Sequence, residues 1–441
     1  MNFLIIFSFI CIFNNFLSQI ILPFKRNLNF KSNLHKDIIY TLYDNILLTD
    51  INIGYPKSQK ISFRIYLTRQ SMITLEKFYN SNLSESYSSI PLEKRDYYEI
   101  DLYNGTKAKE KFFFNLYNNQ NILEVNDFVF INAIKISKTI DYNIIGLTIP
   151  DFSEIDNIFE SNLILQLKKK DIINNYIMTI DYKNDIEGNI VIGKYPYEYN
   201  NKSYNEKNYI ETYSVFINSN MMYGLNFYIE YSNKLLYDYP NRIQFILEEG
   251  LIKGSYKFLE ILENDFFNKS NNNCFRDNFG NLNNLIFWYC NKNVNFKDFK
   301  EIKIINKELK YNFILDHKDL FYKSNNGYYY FLMYFIKNDD RWIFGNTFLK
   351  KYKFTFNQDS KTIGLAIENK NKNKNNNNNN INIYLILIIF LIGIILGLIY
   401  YIYIILKKFL NKKKKANELN DEYVYELNYN NVKNNNNKLL N

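Results

Sequence analysis

The chain has 441 residues and a mass of 53.2 kDa, enough for one large domain or two ordinary ones, each with a core of its own. Its formal net charge of +9 would suit nucleic acid, but Lys407, Lys408 and Lys412 to Lys415 gather beside an apolar segment near the C-terminus, and no Arg-rich stripe, Cys/His finger or aromatic RNA-binding motif occurs elsewhere; a membrane flank is expected and no nucleic-acid partner. The two histidines, His35 and His317, lie far apart without metal-ligand spacing, and no HExxH or paired CxxC motif is present, so no metal, no cofactor and no Ser-His-Asp triad is expected.

At the N-terminus, Phe3 to Phe13 is a short apolar run followed by Asn14 and Asn15, which reads as a signal peptide over residues 1–19. Short β-like runs follow at Ile51–Gly54, Ile61–Leu67, Lys111–Tyr117, Asp127–Ile131 and Asn189–Gly193, bounded by Asn, Gly and Pro. Helical periodicity is rarer: Leu163–Ile173 and Asn241–Gly250 each predict one short amphipathic helix. An Asn/Lys-rich stalk is expected over 369–382. From Ile383 to Leu406 the chain is almost continuously apolar, and as a helix it would be about 36 Å long, enough to span a bilayer. The lysines after it hold the tail, 407–441, in the cytosol, which makes the rest lumenal or extracellular and the topology type I. Cys11 falls in the signal peptide, so Cys274 and Cys290 remain to form one disulfide in an oxidising compartment. Sequons at Asn82, Asn104, Asn201 and Asn268 suit that compartment as glycosylation sites.

Within this strand-rich chain, Ile53-Gly54-Tyr55-Pro56 with Gln59 and Phe63 resembles the opening hairpin of the pepsin-like aspartic proteases, and Tyr142-Asn-Ile-Ile-Gly-Leu147 resembles their DGILGL strand. Leu165-Gln166-Leu167, Ile172-Ile173 and Gly188 to Gly193 continue that family's order and spacing. In the second half, Trp342 to Tyr352 resembles WILGDVFLRKY, and Phe356 to Ala366 resembles the terminal FDxxNxxIGLA strand. The resemblance runs from about Tyr40 to Ile367 and implies an all-β dominated, bilobal pepsin-like aspartic protease fold with a few short helices, followed by one transmembrane helix. It implies an N-terminal lobe over 37–200, a C-terminal lobe over 201–368, and a Cys274–Cys290 disulfide in the second lobe.

In that family two aspartates, one per lobe, share a proton and activate a water. Matching Phe63 to Leu67 with the strand before the first loop puts Thr68, Arg69 and Gln70 over Asp-Thr-Gly. Matching Phe227 to Tyr237 with the second loop puts Glu230, Tyr231 and Ser232 over the second Asp-Thr-Gly. Asp44, Asp50 and Asp238 read as turn or surface residues, and Tyr103 takes the place of the tyrosine in the flap over the cleft. The resemblance therefore implies a membrane-anchored pseudoprotease without catalytic residues, binding a peptide or protein partner in its interlobe cleft. Two other classes stay open: an active aspartic endopeptidase, should the loops be aligned differently, and a structural or adhesion glycoprotein.

Overall fold

The computed structural model describes residues 19–28, 34–90, 105–116, 122–134, 141–148, 160–215, 223–269, 273–279, 284–369, 397 and 400–408. The chain divides into two compact units, Met1–Asn369 and Lys370–Asn441. In the second unit, residues 400–408 are helical. Among the described residues no helix is long and apolar enough to cross a membrane. The signal peptide, and most of the expected stalk and membrane span, lie outside the described residues.

The first unit is mostly strand, arranged in a thirteen-stranded and an eleven-stranded sheet. Leu47–Ile53 shows why: Leu47, Thr49, Ile51 and Ile53 are buried while Asp50 and Asn52 face out, the period of two that half-covers a sheet. It pairs antiparallel with Gln59–Tyr66, from Leu48 opposite Arg64 to Ile53 opposite Gln59, around a turn that begins at Gly54, where φ is +99°. The fold begins before the expected lobe boundary at residue 37, because Ile20–Arg26 already pairs with Glu187–Ile192. Nor do the strands divide at residue 200. Tyr209–Tyr213, Lys353–Asn357 and Thr362–Ala366 join the thirteen-stranded sheet, the last two as a hairpin beside Ile177–Tyr182.

The expected helix over Asn241–Gly250 is a strand, Asn241–Phe245, followed by an irregular segment. Its apolar residues Ile243, Ile246 and Leu247 have helical spacing, but Ile243 and Phe245 also alternate with Arg242 and Gln244. The partners decide between the two periods: Tyr223–Tyr231 pairs along one edge and Ile343–Phe344 along the other. The expected helix at Leu163 does form, over Leu163–Lys169, and the Asn162 side chain accepts from the Leu165 amide at its start.

One arrangement occurs twice. In the first half Gln59–Tyr66 runs parallel to Asn143–Gly146, which pairs antiparallel with Met72–Leu75. In the second half Asn241–Phe245 runs parallel to Ile343–Phe344, which pairs antiparallel with Ile252–Gly254. The registers match residue by residue: Ile65 and Met72 meet Ile145 as Phe245 and Ile252 meet Phe344. The intervening loops, Leu67 to Ser71 and Leu247 to Leu251, therefore correspond, and Thr68 matches Glu248.

The largest hydrophobic core among the described residues runs through both sheets. In the second half it is rich in phenylalanines: Phe344 packs at a tilt on Phe348 with ring centroids 4.1 Å apart, and Phe227 and Phe245 pack on Phe344. Burying each such ring is worth about 1.5–3 kcal/mol, with roughly 0.5–1.5 kcal/mol more for each well-placed pair. A separate apolar cluster forms where the His35–Tyr43 helix, inserted between the first two strands, lays Ile38, Ile39 and Leu42 on Leu251, Leu285, Phe287, Leu332 and Tyr334.

Candidate functional site

The two matched loops meet. The Thr68 backbone N–H donates to Glu248 Oε1 at 2.7 Å, and the Thr68 hydroxyl donates to the same oxygen at 2.6 Å. Glu248 Oε2 is buried and has no hydrogen-bond partner among the described residues. Burial raises the Glu248 pKa above the ordinary carboxylate value, against the lowering effect of the two Thr68 bonds and the Arg64 charge.

Each loop is backed by an apolar-apolar-glycine strand. A Cβ on Gly146 would sit 2.5 Å from the Arg69 carbonyl, and one on Gly345 would sit 2.4 Å from the Glu249 oxygen and 2.2 Å from that of Leu251. Two residues on, a threonine amide donates to the loop in both halves, Thr148 to Arg69 O at 3.0 Å and Thr347 to Gly250 O at 3.1 Å. Their hydroxyls add bonds to Leu67 O and Gly250 O. Ile144-Ile145-Gly146 and Ile343-Phe344-Gly345 thus back the two loops in the same way.

Around the contact, Arg64 is buried in an ion pair with Asp44, donates to the Tyr142 hydroxyl at 2.7 Å, and lies over the Tyr66 and Tyr142 rings. Asp44 is thus a half-buried partner of Arg64 rather than a plain turn residue, since an Arg buried in the sheet needs a carboxylate beside it. Glu249 turns away from Thr68 and accepts from the Tyr334 hydroxyl at 2.7 Å. Burial raises its pKa too, opposed by that bond and by Lys253 and reinforced by Glu248. Asp50 pairs with Lys60 at 2.9 Å, and Asp238 is exposed.

Glu230 is not the residue that faces Thr68. It lies at the end of the Tyr223–Tyr231 strand, ion-paired with Lys303 at 3.3 Å, next to a tight turn in which Ser232 and Asn233 have φ of 52° and 60°. Tyr231 and Ser232 therefore belong to a hairpin, and the glycine of the second loop, Gly250, is retained. It has to be, because a Cβ there would sit 1.8 Å from Leu42 O. Tyr103 and Asn104 lie outside the described residues. Asn82, Asn201 and Asn268 are exposed. Cys274 and Cys290 are bonded across a hairpin, S–S 2.00 Å, as expected. His317 stacks on Phe296, with ring centroids 5.1 Å apart.

No known family profile matches the chain, and no curated protein matches it in sequence. Solved structures do match in fold, crystal structures of two basic 7S globulins among them. Basic 7S globulin from soybean superposes with a TM-score of 0.57 at 10% identity, over 79% of this chain and 95% of that one. The chain shares the fold of the basic 7S globulins. Conglutin gamma, a basic 7S globulin from lupine seeds, gives a TM-score of 0.59 at 10% identity over the same shares of the two chains.

Glu248 is the site residue that sequence reasoning missed. The signal was present: Ile246-Leu247-Glu248-Glu249-Gly250 reads apolar-apolar-acid-x-Gly, where Phe227 to Tyr237 holds no glycine at all. The helical spacing of its apolar residues concealed it.

Proposed function

We propose that the chain is a membrane-anchored, non-catalytic relative of the bilobal pepsin-like aspartic proteases that binds a peptide or protein partner in an interlobe cleft. One observation carries the reading: at the contact between the matched loops, a threonine hydroxyl and its amide donate to a glutamate, so one carboxylate stands where the chemistry needs two. A dyad works because two adjacent acids cannot both ionise, leaving one to donate and one to accept at a shared water. Thr68 is a hydroxyl that does not ionise in the working range, and its donation occupies the oxygen of Glu248 on which a water would be activated. The apolar Ile383–Leu406 segment and the lysines after it would supply the anchor, and the sequons the sugars.

The test incubates the purified full chain with a generic peptide library between pH 3 and pH 7, with and without an aspartic-protease inhibitor, and recovers retained peptides by size exclusion. Retention without cleavage is expected. Inhibitor-sensitive cleavage would overturn the assignment, and absence of both cleavage and retention would remove the cleft as a binding site.

A further inference from the structure

The His35–Tyr43 helix does more than fill space between two strands. Its buried residues Ile38, Ile39 and Leu42 cover Leu251, Leu285, Phe287, Leu332 and Tyr334, and Tyr43 packs edge-on against Tyr334 at 5.1 Å. The chain leaving it is bonded to the Glu248 loop: Gly250 N–H donates to Tyr43 O at 2.8 Å, Asn45 N–H to Glu248 O at 3.1 Å and the Asn45 amide to Leu247 O at 2.8 Å. In the first half, the face that corresponds to Ile252–Gly254 and Tyr329–Ile336 is built instead from Ile73, Leu75, Ile131 and Ala133 with Tyr66 and Ile144. The helix is therefore seated on one side of the loop contact, over apolar surface continuous with Leu251.

Its first residue is a histidine held among tyrosines. His35 stacks on Tyr289 at 4.2 Å, meets Tyr328 edge-on at 4.6 Å, and its Nδ1 lies 2.6 Å from the Tyr330 hydroxyl. Asn326 donates to the same hydroxyl oxygen at 2.8 Å, so the Tyr330 hydroxyl ties the start of the helix to the loop at Asn326. We propose that this helix is a pH-sensitive plug: neutral His35 latches it over the apolar face beside Glu248, and protonation of His35 releases it.

Two effects oppose charge on His35. Its partial burial lowers the pKa from 6.5, and a cation in the first helical turn faces the positive end of the helix dipole. Two effects favour charge, the Tyr289 face and the nearby Asp277, and burial outweighs Asp277. On the helix itself Lys36 and Asp37 follow, of opposite sign. The sign is then determined. The docked helix binds a proton less readily than the released one, so docking is strongest above pH 6.5 and weakens as pH falls through that value toward the lowered one. The plug stands on this packing alone. That the uncovered face then takes a peptide rests on the binding reading above.

Hydrogen exchange on the full chain between pH 7.5 and pH 5, corrected for intrinsic rates, tests it, with amides of the Tyr223–Tyr231 strand as the reference for global opening. Exchange over Ile39 to Tyr43 is expected to rise by up to about tenfold per pH unit below 6.5 while the reference strand stays protected. His35→Phe keeps the stack on Tyr289 without a titrating group and should flatten that dependence. If His35→Phe does not fold, His35→Gln serves, since it keeps a hydrogen-bonding side chain near Tyr330 without a titrating group and should flatten the same dependence. A pH-independent helix in the wild type, or an unchanged response in His35→Phe, overturns the plug. Helix release at pH 5 with no peptide retained supports the plug and counts against the binding reading.

Discussion

Thr68→Val isolates the contact that carries the functional reading. Valine keeps the shape of threonine and the backbone N–H to Glu248 Oε1, and removes only the hydroxyl donor at 2.6 Å. Glu248 Oε2 has no partner among the described residues, so the half-buried carboxylate would lose one of the two bonds that Thr68 gives it. Losing a bond to a charged acceptor costs about 1.5–3 kcal/mol, against about 1 kcal/mol for a neutral one. In a Glu248→Gln background the acceptor is neutral, and the same Thr68→Val change should cost only about 0.5–1.5 kcal/mol. The coupling in a double-mutant cycle is then on the order of 1 kcal/mol at pH 7.5, read from urea unfolding with constant slope. The pH dependence has a defined sign. Burial raises the Glu248 pKa in the fold, so the folded state binds the proton more tightly, and stability declines as pH rises from about 4.5 through the raised value. Glu248→Gln should remove that decline. Equal costs for Thr68→Val in both backgrounds, or a decline that persists in Glu248→Gln, would refute the placement of Thr68 against an ionisable Glu248.

Gly345→Ala should destabilise by roughly 2 kcal/mol or more, because its Cβ meets two loop carbonyls closer than 2.5 Å; urea midpoints unchanged within error would contradict the backing role of that strand. Replacing Cys274 and Cys290 by serine opens a loop spanning 16 positions and should cost about 3 kcal/mol by the chain-entropy estimate, measured by thermal unfolding with and without reductant. Thr68→Asp with Glu248→Asp places two aspartates at the matched positions, yet should yield little peptide cleavage, because Gln70 and Glu249 still occupy loop positions next to them; a displacement of about 1 Å can cost on the order of a hundredfold in rate. Robust inhibitor-sensitive turnover in that double variant would show the loops to be catalytically shaped already.

Why the first loop was legible in the sequence and the second was not has a physical cause. Ile61 to Leu67 alternates cleanly into a strand, and the opening Ile53-Gly54-Tyr55-Pro56 turn fixes its register, so Thr68 falls at the end of an element bounded on both sides. The second loop follows a strand of only five residues, Asn241–Phe245, whose neighbour Ile343–Phe344 comes from almost a hundred positions later; nothing local in the chain announces that pairing. Phe227 to Tyr237 offered a better letter match to the family's second loop. In the structure its start belongs to the Tyr223–Tyr231 strand, which precedes Asn241–Phe245 and pairs antiparallel with it through Tyr223 to Phe227. The Leu163–Lys169 helix, the Cys274–Cys290 pairing and both apolar-apolar-glycine strands were readable because each rests on a local pattern or a single pair. The His35–Tyr43 helix was invisible as a functional element for the opposite reason. Its sequence is an ordinary short amphipathic stretch, and its meaning lies entirely in what it covers, residues more than two hundred positions away. The loop that carries Thr68 therefore left a trace in the sequence, whereas the covering of the surface beside Glu248 left none until the chain was folded.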